Sequence, residues 1–404
     1  MIDFSLQIPT KIYFGRDSLS HLDEEVRHYG NRVLLVYGGG SIKRIGLYDK
    51  VMEVLNEQSC RVWEISGVKP NPRLGLVQEG AALCKEQQIQ LVLAVGGGSV
   101  IDTAKAIANA ACYDGDPWDL FDGTCKNDRV LPLGVIVTIP AAGSEMSDSS
   151  VITREIIHTR FRPHKPPAIP LGISNAITVI KFRPIASENK DRLSPRERNI
   201  RVLMQVVSPM AHMMERYFTN TQHVELIDRM TEGALKTVIH NAPIALKQPE
   251  NYDARAEIMW AAALAHNGLL GTGRVTDWAS HRLEHELSAL YDIAHGAGLA
   301  IVFPAWMKYV LSKGCVSKLR QFAIRVFDVS EDFGSDEAIA SEGIALLERF
   351  YRSLGLPTTL HESSIGEENF DRMSHRAVTM GGGHLGNYYP IHEEDALAIY
   401  RLAR

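Results

Sequence analysis

Gln90-Leu91-Val92-Leu93-Ala94-Val95-Gly96-Gly97-Gly98-Ser99-Val100-Ile101-Asp102 runs a strand into a glycine turn and the turn into a helix. The apolar run has the length and branching of a strand buried on both faces of a parallel sheet. Glycines let the chain turn tightly and let a ligand approach the backbone. A helix opening there, over Thr103–Ala110, aims free N–H groups and a partial positive charge at that ligand. An anionic pyrophosphate suits such a device. The stretch is neither a GxGxxG fingerprint nor a Walker loop, since no Gly-Lys-Ser/Thr comes after it. The same device stands once more upstream, where Arg32-Val33-Leu34-Leu35-Val36-Tyr37 is closed by Gly38-Gly39-Gly40-Ser41.

Strand-like runs at Val62–Ser66 and Leu133–Pro140, with helical spacing over Tyr48–Glu57 and Leu74–Glu86, complete an alternation of strand and helix. Such alternation predicts a parallel, Rossmann-like sheet covered on both faces. One triple-glycine loop reads equally well as a tight turn. Two, each at the carboxyl end of a strand, point to a dinucleotide. Gly38, Gly39, Gly40, Ser41, Gly96, Gly97, Gly98, Ser99 and Asp102 are therefore candidate cofactor-binding residues. An NAD site usually sets an acid against the ribose hydroxyls. The first loop has none and offers Ser41, Lys43 and Arg44, which suit a 2'-phosphate, so NADP is slightly favoured over NAD.

Beyond about residue 210 the pattern changes to successive helices: Val224–Ile239, Ala254–Leu270, Trp278–Tyr291, Ala297–Leu311 and Ala338–Ser353. The last has Ser335 as an N-cap and the stop Gly355-Leu356-Pro357. With 404 residues the chain exceeds one ordinary core. The expected fold is an α/β dinucleotide-binding domain over 1–185 and an all-α domain over 186–404. A net charge of -5 gives no field for nucleic acid or an anionic membrane. No apolar run reaches the roughly 18 residues of a membrane span, and no secretory signal opens the chain. Five scattered cysteines without a CxxC pair read as thiols of a reducing cytoplasm.

The helical half carries a histidine run, His281, His285 and His295, with His212 upstream. His281 and His285 share one helix face. Imidazoles gathered from separate helices cradle a divalent transition metal. Hydrogen-bonded core or surface histidines are the alternative.

These stretches together resemble the iron-containing (group III) alcohol dehydrogenases, in the branch of NAD(P)H-dependent butanol dehydrogenases and aldehyde reductases. The likeness is carried by Pro9–Gly15, the two glycine loops, Gly115–Leu120, Thr138–Met146 and Asp277–Pro304, and covers 1–155 and 210–404. It implies a catalytic Fe²⁺ or Zn²⁺ between the two domains, held by one Asp and three His. His212, His281 and His295 fall on the imidazole positions, and His285 on a position beside the substrate, suited to proton relay or to orienting the alcohol. Thr138 and Ser144 fall in a cofactor-side motif. The implied reaction is hydride transfer between NAD(P)(H) and a primary alcohol or aldehyde of the butanol and butyraldehyde kind, in a homodimer. A glycerol dehydrogenase-like polyol enzyme and a catalytically inactive dinucleotide-binding protein are the alternatives.

The chain departs from that pattern in one segment. Four residues before His212, where the family has its Asp, stands Ser208, followed by Pro209. A hydroxyl is a neutral and poor substitute for a carboxylate ligand. Ser208 with Pro209 reads locally as an N-cap and first helical residue. From about 156 to 209 the resemblance is lost at nearly constant length, with 7 of the 18 prolines and only 3 of the 48 acids, and Asn189–Arg198 reads as solvated loop. Preserved length with lost identity is the mark of a compensated pair of frameshifts; a divergent insertion is the rival. Ala142, where the family usually has Thr, is a smaller departure. Weak metal binding and low activity are expected.

Overall fold

The computed structural model describes residues 1–122, 124–125, 127, 129–139, 143–154, 177–181 and 195–404, with side chains of the last stretch from 206 onward. Ala142 and most of the 156–209 segment lie outside them. The chain forms two compact units, Gln7–Arg192, and Leu193–Arg404 with Met1–Leu6.

The first unit holds six strands: β1 (Lys11–Phe14), β2 (Arg32–Gly38), β3 (Arg61–Val68), β4 (Leu91–Gly96), β5 (Leu133–Val137) and β6 (Ile177–Lys181). All pair in parallel, in the order β1-β6-β5-β4-β2-β3. Its helices are α1 (Leu22–Tyr29), α2 (Ser41–Arg44), α3 (Leu47–Glu57), α4 (Leu74–Glu86), α5 (Gly98–Ala110) and α6 (Asp119–Asp122). Strand alternation sorts the core. Leu34, Val36, Val92 and Ala94 face α4 and α5, whereas Val33, Leu35, Leu91 and Leu93 face α1 and α3. Both faces are thus buried, which is why these strands read as unbroken apolar runs. The chain goes from β2 outward to β3 and then returns to lay β4 on the other side of β2. That reversal leaves a crevice at the carboxyl ends of β2 and β4, where ligands of open α/β sheets bind.

The second unit is helical: α7 (Pro195–Tyr217), α8 (Glu225–Lys247), α9 (Tyr252–His266), α10 (Ala279–Tyr291), α11 (His295–Ser312), α12 (Val316–Phe327), α13 (Asp336–Ser353), α14 (Phe370–Met380) and α15 (Glu393–Leu402). α9 stops short of the expected Leu270 because Gly268 turns left-handed at φ 87. Ser335 caps α13, its side chain accepting from the Ala338 N–H.

Two expectations fail here. Ser208 and Pro209 do not start a helix: α7 begins at Pro195 and runs through Pro209. Residues 195–198, expected as loop, are its first turn. An interior proline costs about 3 kcal/mol. Val206, Val207, Met210, Ala211, Met213, Met214 and Tyr217 are all fully buried along this helix. At roughly 1.5–3 kcal/mol for a large apolar side chain, their burial outweighs the proline. β1 and β6 were not foreseen.

Candidate metal centre and dinucleotide loops

The two glycine loops come together at the sheet crevice, since β2 and β4 are neighbours and end at Gly38 and Gly96. Gly96 is required by close approach: a Cβ there would meet Val100 Cγ2 at 2.5 Å. A Cβ on Gly98, the first residue of α5, would meet nothing within 4 Å, so the helix start is open on that side. Gly40 sits at φ 91, in the left-handed region, and Ser41 follows it in the short α2. Ser99 lies in the first turn of α5, its carbonyl accepting from Thr103 Oγ1.

Asp102 and Ser144, far apart in sequence, are partners. Ser144 Oγ donates to Asp102 Oδ1 at 2.5 Å and the Val151 N–H donates to Oδ2 at 3.1 Å. Lys105, which sequence reasoning passed over, is fully buried. Its Nζ donates to the carbonyls of Ser144, Ser147 and Ser149 and to Ser144 Oγ. Burial pushes Asp102 up and Lys105 down, and each opposes the other's shift by its charge. The pair fixes the 144–151 loop beside α5. Thr138 is tied to the same place, its N–H donating to the Gly96 carbonyl. An acid stands on the next strand. Glu64 of β3 accepts from Tyr37 Oη at 2.5 Å and Tyr48 Oη at 2.7 Å, and Lys43 Nζ lies over both rings.

In the helical unit the predicted histidines do converge. Ring centroids of His212 (α7) and His281 (α10) are 4.6 Å apart, those of His281 and His295 (α11) 5.1 Å. His285 lies 5.7 Å from His295 and 6.0 Å from His281. The ring of His266, at the end of α9, lies 4.3 Å from that of His212, tilted by 38°, and was missed, because nothing local links a helix-terminal His to a distant helix. Arg216 Nη2 contacts His266 Nδ1 at 3.0 Å, and its guanidinium lies over Trp278. The turn before α10 is held by Asp277, which accepts from the N–H groups of Ala279, Asn387 and Tyr388.

Two buried glutamates adjoin the imidazoles. Glu215 Oε2 lies 2.5 Å from His281 Nδ1, and Glu284 Oε2 contacts His295 Nδ1. Burial pushes Glu215 up to about 8, whereas Glu284, raised by burial, is brought below its ordinary value by His295. Burial also holds His212 and His281 well below the usual imidazole range and His285 at about 3. They are neutral, the state that binds metals.

A metal ion fits these residues. Ser208 Oγ, His212 Nδ1 and His281 Nε2 are buried with no hydrogen-bond partner among the described residues. Each such orphan costs about 1–3 kcal/mol, and a cation on the nitrogen lone pairs removes the deficit. One ligand atom each of Glu284, His285 and His295 also fall within 4.8 Å of one another, an overlapping grouping that shares His295. Ser208, one turn before His212, is the only one of these donors that is neither imidazole nor acid.

Residues 9–170 match the iron-containing alcohol dehydrogenase family and residues 203–404 its C-terminal domain. The chain belongs to that family. The unmatched stretch, 171–202, is shorter than the 156–209 marked by sequence. As a member of the iron-containing alcohol dehydrogenases, the protein is an oxidoreductase. It is 42% identical over 405 residues to the probable NADH-dependent butanol dehydrogenase 1 of Bacillus subtilis, covering 99% of each chain. It is 36% identical to the NADPH-dependent aldehyde reductase YqhD of Escherichia coli, over the whole of both chains. The crystal structure of the NADH-dependent butanol dehydrogenase A from Thermotoga maritima superposes with a TM-score of 0.90 at 36% identity, covering 100% of this chain and 99% of that one.

Proposed function

We propose that the chain transfers hydride between NAD(P)(H) and a primary alcohol or aldehyde, with His212, His281 and His295 holding Fe²⁺ or Zn²⁺. The observation that carries this is the convergence of the three imidazoles, with His212 and His281 buried and carrying nitrogens unpaired among the described residues. When bound, the cation acts as a Lewis acid on the substrate oxygen. The chain's own residues do the rest. The glycine loops receive the dinucleotide phosphates, the Asp102–Lys105 network holds the 144–151 loop, and His285 orients the alcohol or relays its proton onward.

Ser208 weakens this centre, because three neutral imidazoles leave the cation's charge uncompensated by a direct ligand. The experiment is elemental analysis of the purified protein together with NADH and NADPH oxidation over a panel of short aldehydes. Low metal occupancy and slow turnover of butyraldehyde are expected, with Ser208→Asp gaining both. One tightly held metal per parent chain with fast turnover would refute the weakening. Dinucleotide binding without turnover, even with added Fe²⁺, would favour an inactive dinucleotide-binding protein, a reading that Ser208 itself supports. Faster turnover of glycerol than of butanol would favour the polyol enzyme.

None of the five cysteines forms a disulfide, which supports a reducing cytoplasm. Among the described residues no helix is long and apolar enough to cross a membrane. A homodimer is the proposed assembly, to be checked by sedimentation.

A further inference from the structure

We propose that Glu215 and Glu284 are paired positioning residues: each orients one metal-facing imidazole from the side of its Nδ1. The inference rests on the metal reading above. Two independent places in the helical unit are built alike. Glu215 Oε1 accepts from Ser280 Oγ at 2.6 Å and from the His281 N–H at 3.0 Å, while Oε2 lies against His281 Nδ1. Glu284 Oε1 accepts from Ser288 Oγ, while Oε2 accepts from His295 Nδ1. In each pair a serine fixes one carboxylate oxygen and leaves the other for an imidazole.

With a carboxylate oxygen facing Nδ1, the nitrogen each ring presents to a metal is Nε2. In His281 both ring nitrogens are buried without a hydrogen-bond partner among the described residues, Nδ1 lying against Glu215 Oε2 at ion-pair distance only. Both carboxylates are almost fully buried, Glu215 at 1% and Glu284 at 0% exposure. Such a site is costly unless each charge is matched by an opposite one. The backbone makes room for one of them. A Cβ on Gly298 would come 2.6 Å from Glu284 Oε1, so α11 approaches α10 closely only because that residue is glycine. Carboxylates behind metal-binding imidazoles set ring orientation and raise ligand basicity, and their loss costs about 10–100-fold in metal affinity.

The experiment compares parent, Glu284→Gln and Glu215→Gln chains loaded with Co²⁺. Competition with a chelator gives affinity, the visible spectrum reports the ligand set, and proton NMR reports the hyperfine-shifted exchangeable ring N–H signals. Each Gln variant is expected to bind about 10–100-fold more weakly. The visible spectrum should be unchanged, and one ring N–H signal should move or exchange faster. Affinities within twofold of the parent overturn the proposal. So does a changed spectrum, which would make the glutamate a direct ligand. Should a Gln variant not fold, Ser288→Ala and Ser280→Ala, which free one oxygen of each carboxylate, replace it. Loss of affinity by a few fold supports the proposal and no loss overturns it. A parent that binds no Co²⁺ overturns the metal reading itself. Binding by the parent with no effect of the variants overturns only the role given to the glutamates.

Discussion

The two Gly-Gly-Gly-Ser loops share four residues and a place beside each other in the sheet, yet the chain does different things after them. After Gly96–Ser99 the helix begins at once, at Gly98, and continues to Ala110. After Gly38–Ser41 the helix lasts only from Ser41 to Arg44 before Gly46 breaks it at φ 72. The difference lies in the residues beyond the serine. Val100, Ile101, Ala104 and Ile107 are buried against the sheet, and Asp102 and Lys105 are consumed in a buried network. Lys43 and Arg44 are exposed. The helix after the second loop is therefore part of the unit's core, whereas the short helix after the first carries its cationic side chains at the surface. An identical glycine signature does not mean an identical role.

Substitutions should expose that inequality. Lys105→Met leaves three loop carbonyls and Asp102 without their cation. Losing one partner of a buried charge pair costs about 3–5 kcal/mol, so the thermal midpoint should fall by on the order of 10 °C, with dinucleotide binding lost. Gly96→Ala forces Val100 away from β4, and overpacking of this kind costs about 1–3 kcal/mol; calorimetry and dinucleotide titration read both effects. Gly40→Ala places a Cβ in the left-handed region but in open space, so only the backbone penalty of roughly 1–2 kcal/mol applies. Lys43→Ala should leave stability within about 0.5 kcal/mol of the parent and raise the KM for NADPH a few fold, with that for NADH unchanged. A Gly40→Ala cost equal to that of Lys105→Met would make the loops equivalent and end the comparison. An unchanged NADPH preference in Lys43→Ala would assign cofactor choice to Glu64.

The same inequality explains what could be read from residues in order. The buried strands β2, β4 and β5 announce themselves because both faces are apolar. β1 is only Lys11-Ile12-Tyr13-Phe14, too short to show a period, and β6, though β-branched as Ile177-Thr178-Val179-Ile180-Lys181, lies in the segment where the resemblance was lost. Local chemistry at Ser208-Pro209 favours a helix start, but the apolar residues on either side favour burial, and burial decides. His281 and His285 were visible as a pair through helical spacing. His266 was not, since its neighbour His212 is on another helix. Glu215 and Glu284 stood in plain view beside histidines without any sign of which ring each would reach.

Alternating apolar runs, glycine turns and histidine spacing are local patterns, set by the period of strand and helix, and the order of residues alone carries them. It therefore determined the α/β half, the helical half, the two phosphate-type loops and the gathering of imidazoles. Which side chains meet is another matter. Glu215 reaches the His281 N–H across 66 residues, and Lys105 reaches Ser144 across 39. Contacts of that separation depend on how helices and loops pack, so the tertiary structure alone decided them, and with them which carboxylates stand behind the metal-facing imidazoles.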